Sequence, residues 1–164
     1  MKDMKRLRWL VSLSVVFVTL IAYLITLAPS VDFIDAGELS AVAHTWGIAH
    51  PTGYPLFTLL SGFWATLPFG DGIYRLNLFA AVLSAAAAGV SVQMIFVLLG
   101  VHSARLQKQN RKKGKKSSAS APTSAPVDER LRLLAAAAGA LMLGFSGTFW
   151  RTALSIEVYP LHVL

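Results

Sequence analysis

Between Trp9 and Ala28 the chain carries no charged side chain, only apolar and hydroxyl residues, and the run is about the twenty residues that crossing hydrocarbon takes. Water is absent there, so the backbone must satisfy its own polar groups, which a helix does within one segment. A cleavable leader would have a shorter apolar core, about 7 to 15 residues, and a small-x-small site that Tyr23 to Pro29 lacks, so the run predicts a retained anchor. Leu76 to Val101 and Leu133 to Trp150 are also uncharged and long enough to span. Pro55 to Pro68, about fourteen residues, is the length of an interfacial or re-entrant segment.

Charge placement orients these runs. Lys2, Lys5, Arg6 and Arg8 flank the first, and Arg105 to Lys116 with Arg130 and Arg132 fill the connection between the second and third. Positive charge stays on the cytoplasmic side. Pro29 to Tyr74 contains no Lys or Arg but holds Asp32, Asp35, Glu38 and Asp71, so this acidic loop is expected to face outward. The expected plan is a cytoplasmic N-terminus over 1–8, a transmembrane helix over 9–28, an outer loop with interfacial helices over 29–75, and a second span over 76–101. A basic disordered linker over 102–132, a third span over 133–150 and an outer segment over 151–164 complete it. The fold class is therefore all-α integral membrane, with about three spans. Ile156 to Leu164 reads as the start of a next element, so the chain is expected to be the N-terminal part of a larger bundle.

A net charge of +7 could suggest nucleic acid. Most of the excess lies in Arg105 to Lys116, without interleaved aromatics and followed by a Ser/Ala/Pro tract, which is the pattern of a solvated cytoplasmic linker that sets topology and meets membrane lipid. No nucleic-acid partner is expected. The chain has no cysteine, which excludes disulfides and thiolate metal sites. Small residues at helical spacing, Ala81, Ala85 and Gly89 on the second span and Ala136, Ala140 and Gly144 on the third, predict close helix contact.

The chemistry concentrates in the outer loop. Asp35 could cap a helix running to Trp46, with Glu38 at the capping-box position. The same carboxylates, just beyond the first span, could instead meet a membrane-anchored substrate at the bilayer surface. His44 and His50 match no strict zinc spacing, so the cofactor stays unknown: a divalent metal is conceivable, but no motif supports one. In His50-Pro-Thr-Gly-Tyr54-Pro two prolines and a glycine form a stiff turn that would aim His50 and Tyr54 at fixed angles. Arg75 and Asn77 stand at the outer end of the second span, where an arginine could hold an anionic lipid phosphate or reach the headgroups. Arg151 and Glu157 repeat the arrangement at the third.

Asp35-Ala-Gly-Glu38, His50-Pro-Thr-Gly-Tyr-Pro55-Leu-Phe, Leu67-Pro-Phe-Gly70, Tyr74-Arg-Leu-Asn77 and Ile156-Glu-Val-Tyr159 occur in an order and spacing that resemble a bacterial membrane family. That family is similar to the animal transmembrane protein O-mannosyltransferases that act on plexin-type receptors. The resemblance runs from Asp35 to the end of the chain except for the basic linker. It departs from the family pattern at Ala36, where a serine is usual, at Thr52, where a proline is usual, and in the long Lys-rich linker. It implies a GT-C glycosyltransferase in the bacterial inner membrane, with a periplasmic site. A sugar would pass from a polyprenyl-phosphate donor to a hydroxyl acceptor, with exported protein Ser/Thr as one candidate. It makes Asp35 and Glu38 the catalytic acids, and His50, Tyr54, Arg75, Asn77, Glu157 and Tyr159 the substrate-binding residues. A three-span piece alone is expected to be inactive. From the residues themselves, glycosyl transfer needs a base near the acceptor proton and help for the departing phosphate; Asp35 and Arg75 suit these tasks. A transporter subunit would place ionisable groups at the midplane or break its helices there, and a non-catalytic scaffold would need only the small-residue packing faces.

Overall fold

A computed structural model of the chain describes residues 2–32, 34–51, 53–114 and 128–164, and among them the regular elements are all helices. The first, α1 (Lys2–Thr26), and the fourth, α4 (Gly72–Gly114), are both long and apolar enough to cross a membrane. Between them lie α2 (Ile34–Thr45) and α3 (Pro55–Ala65); after them come α5 (Glu129–Gly144), α6 (Gly147–Leu154) and α7 (Tyr159–Val163). Counting α5 and α6 as one broken crossing gives three candidate spans, the expected all-α membrane architecture.

Two expectations need correction. The third span is not one rod over 133–150: α5 stops at Gly144 and α6 departs at 61°. Gly144, Ser146 and Gly147 weaken the helix locally, and the Ser146 hydroxyl donates to the Leu143 carbonyl at 2.8 Å, competing with the backbone ladder. The linker expected from residue 102 is helical to Gly114, because Leu106, Gln107, Lys108 and Gln109 are good helix formers and no proline interrupts. Residues 115–127 lie outside the described residues, as does Thr52 of the stiff turn.

Small residues draw the spans together. Ala81, Ala85, Gly89, Ala136, Ala140 and Gly144 are all buried. A Cβ on Gly89 would fall on the Val16 side chain, and one on Gly144 would meet Thr19 at 2.9 Å. The Tyr23 hydroxyl donates to the Gly144 carbonyl at 2.7 Å, locking α1 onto the end of α5. Three apolar clusters follow one another along α4: Phe96 and Val92 with Val15, Leu133 and Ala136; Ala85 and Ala81 with Tyr23 and Ala153; and Phe79 and Leu76 with Leu39, Phe57 and Ile156. Outward, α1 presents Leu10, Leu13 and Phe17 and α4 presents Met94, Val97 and Leu98; such faces are stable against hydrocarbon, not water.

At the end where α1 finishes and α4 starts, α3 packs its Phe57, Thr58, Ser61 and Ala65 side inward and leaves Leu56, Leu59, Leu60 and Phe63 exposed. Pro55 opens it, where a missing N–H costs nothing. Trp46 and Ile48 add to the same exposed apolar end of the molecule.

Candidate active site

The candidate cluster begins where α1 ends. Asn77, 0% exposed near the start of α4, donates from Nδ2 to the carbonyls of Ala28 at 2.8 Å and Ser30 at 3.2 Å. Its Oδ1 accepts from the Ile156 backbone N–H at 2.9 Å. One side chain thus ties together the strand of chain leading into α2, the outer end of α4 and the residue before Glu157. The Ala28 N–H donates to the Leu154 carbonyl at 3.2 Å and supports the same junction.

On that frame Asp35 sits exposed in the first turn of α2, not at the capping position before it. The positive end of the helix dipole favours a carboxylate there. Glu157 is half-buried, and desolvation, joined by the negative charge of nearby Asp35, raises its pKa above the usual value. Two carboxylates far apart in sequence therefore share one electrostatic environment. Glu38 does not complete a capping box. It accepts from the His50 backbone N–H at 2.7 Å through Oε1 and from His50 Nδ1 at 3.0 Å through Oε2. These bonds to His50 lower the Glu38 pKa.

The turn after His50 holds backbone strain. Gly53 and Tyr54 have φ of +79° and +42°, unusual for a tyrosine, and the Gly53 N–H closes the turn on the His50 carbonyl at 2.8 Å. The conformation places the Tyr54 ring edge-on to His50, centroids 5.6 Å apart, and edge-on to His162 at 6.3 Å. Glu38, His50, Tyr54 and His162 thus form a continuous array. His162 was not among the residues expected from sequence. Its Nδ1 donates to the Val158 carbonyl at 3.0 Å, and only packing brings its ring to Tyr54. Among the described residues no three His, Asp or Glu side chains are grouped so as to hold a metal ion.

Arg75 and Tyr159 stand apart. Arg75 donates through Nη1 to the carbonyls of Leu67 at 2.6 Å and Phe69 at 3.0 Å, folding the Leu-Pro-Phe-Gly turn onto α4. Its Nη2 lies toward Gly72, against which His44 Nε2 also packs. Tyr159 is 60% exposed at the start of α7.

A helical membrane segment whose carboxylates and histidines, gathered from both ends of the sequence, meet at one end of the spans is the class of protein that fold and site define. The chain belongs to a known family of that kind: residues 35–164 match the Protein O-mannosyl-transferase TMEM260 N-terminal domain. It is 46% identical over 81 residues to Protein O-mannosyl-transferase TMEM260 of Mus musculus, an alignment covering 49% of this chain and 12% of the relative. It is 62% identical over 40 residues to Protein O-mannosyl-transferase tmem260 of Dictyostelium discoideum, covering 24% and 5% respectively. The aligned part is thus a small share of either relative. No solved structure matches the chain.

Proposed function

We propose that this chain forms the outer-face catalytic end of a membrane protein O-mannosyltransferase that takes mannose from a polyprenyl-phosphate donor and places it on a protein hydroxyl. The observation that carries the reading is the junction at Asn77, which holds the Asp35 helix and the Glu157 segment against the outer ends of α1 and α4. A donor whose lipid lies in the bilayer would present its phosphate and sugar at that level.

In the proposed step the acceptor hydroxyl oxygen attacks the anomeric carbon as the bond from that carbon to the phosphate oxygen breaks. The phosphate leaves with the electron pair, the hydroxyl proton passes to the Asp35 carboxylate, and the anomeric centre inverts. Asp35 suits the base because it is exposed and meets the acceptor directly. Glu157, half-buried beside it with a raised pKa, carries a proton more readily than a solvated carboxylate and keeps the pair from accumulating two full charges. Glu38 fixes His50, and the strained turn fixes Tyr54, so the polar edge facing the sugar is rigid before substrate arrives. Arg75 reaches a phosphate through Nη2, since two carbonyls occupy Nη1 and Nε is buried.

The test uses the full-length protein carrying this chain, reconstituted with polyprenyl-phosphate mannose and an acceptor peptide. General-base assistance contributes about 10² to 10⁴ in rate, so Asp35→Asn should lose that much turnover while membrane insertion and donor binding persist. Near wild-type turnover by Asp35→Asn would overturn the assignment.

A further inference from the structure

At the end of the bundle away from Asp35, α1, α4 and α5 meet around Phe96. Gln93 Oε1 accepts from Arg8 Nε at 3.1 Å and from Arg8 Nη2 at 2.5 Å, while Gln93 Nε2 donates to the Ser12 hydroxyl at 2.7 Å. The Arg8 guanidinium is thereby held 4.3 Å from the centre of the Phe96 ring. The Arg132 guanidinium stands 4.0 Å from the same centre. Gly100 makes room for it: a Cβ there would lie 2.8 Å from Arg132 Nη1. Two fixed cations so share one aromatic ring.

Ring and cations attract, but the site is short of negative charge. The carboxylate paired with it, Glu129, reaches Arg132 Nη2 at 3.6 Å and is 58% exposed, a weak pair. Arg132 Nε is buried without a hydrogen-bond partner, and an unmatched donor on a charged group is costly. Like charges brought together on one ring call for an anion with several acceptor oxygens, to which the guanidinium forks offer Arg8 Nη1, Gln93 holding its Nε and Nη2, and the Nη groups of Arg132. The level in the fold says which phosphate. Arg8 and Arg132 each immediately precede an uncharged apolar run, starting at Trp9 and at Leu133, so the patch lies where lipid headgroups meet hydrocarbon. On the face of α1 turned away from Arg8, Lys5, Arg6, Trp9, Leu10 and Leu13 line a separate groove, basic and aromatic at its rim and apolar below, which marks the same headgroup level.

We propose that Arg8 and Arg132, clamped over Phe96, form a specific site for the phosphate of an anionic phospholipid in the leaflet opposite the Asp35 cluster. The two guanidinium charges give the preference for an anionic over a zwitterionic headgroup. The lipid bridges three helices at an end where, among the described residues, no polar contact ties α5 to α1. This site is independent of the glycosyl-transfer reading.

The full-length protein, purified from nanodiscs made of equal parts phosphatidylglycerol and phosphatidylcholine, is examined by native mass spectrometry for retained lipid. Wild type should retain phosphatidylglycerol, and Arg8→Gln with Arg132→Gln should lower that retention about tenfold, the scale of a lost charge-assisted contact. The exposed neighbour change Arg130→Gln should leave it unchanged. If the double Gln variant does not accumulate, Arg8→Lys with Arg132→Lys preserves charge but removes the forks, and its retention should fall severalfold. Inorganic phosphate should not displace the lipid. Equal retention by wild type and the double variants would overturn the site, as would loss on Arg130→Gln equal to theirs, which marks diffuse charge. Displacement by inorganic phosphate, marking a free-anion site, would also overturn it.

Discussion

Asn77 uses both ends of its amide to hold together three stretches of backbone. Sequence suggested a ligand-binding residue there; complete burial makes it a clamp. Asn77→Ala orphans two carbonyls and one N–H, each worth about 1 to 3 kcal/mol when buried unsatisfied. Asn77→Asp should do no better, because a carboxylate would face the Ala28 and Ser30 carbonyls without a donor. Thermal unfolding of the purified protein should show both variants well below wild type. The two acids with shifted pKa values act in opposite directions. Glu157 is raised, so the folded state binds its proton more tightly and stability falls as pH rises from the ordinary value near 4.5 through the raised one. Glu157→Gln should flatten that stretch of the stability–pH curve. Glu38 is lowered, so its bonds to His50 contribute above the ordinary value and are lost as pH falls through the depressed one. Glu38→Gln should remove that acid-side loss. Asp35, Glu38 and His50 stood out in the sequence as candidates because carboxylates, histidine and turn residues crowd a short loop. His162 did not, since only packing brings Tyr54 against it.

Helix by helix, charge-free length picked out the candidate crossings but not their shape. The break between α5 and α6 rests on Gly144, Ser146 and Gly147 acting together with the Tyr23 hydroxyl, a tertiary partner that no local pattern reveals. The extension of α4 beyond Val101 was missed for the opposite reason: positive charge was read as linker although its residues favour helix. The stripe of small residues was read correctly, because close approach is the main use of alanine and glycine at that spacing in a span. Gly89 offers the test. Its missing side chain admits Val16, so Gly89→Ile should force α1 from α4, and overpacking of this kind costs about 1 to 3 kcal/mol. Gly147, with open space around it, should accept alanine with little change in melting temperature, since no neighbour has to move.

Across the whole molecule, orientation is the property on which the proposed site depends, and a chain without cysteine makes it measurable. Ser30→Cys and Gln109→Cys both place the thiol at exposed positions. In intact cells an impermeant maleimide should label Ser30→Cys and spare Gln109→Cys until the membrane is opened; the reverse pattern would put the Asp35 cluster in the cytoplasm. Motif order carried the family relationship across most of the chain, yet the geometry that joins Asp35 to Glu157 uses a buried amide that sequence could not distinguish from a surface one. The helix bearing that amide has a further property. At 43 residues and about 1.5 Å per residue α4 is about 65 Å long, roughly twice the hydrocarbon thickness of about 30 Å, with no proline to bend it. Its first turns carry the Asn77 clamp, and its far end runs well beyond one hydrocarbon thickness. In the proposed orientation a partner that grips the far end on one side of the bilayer would hold a rigid rod that ends at the carboxylates on the other.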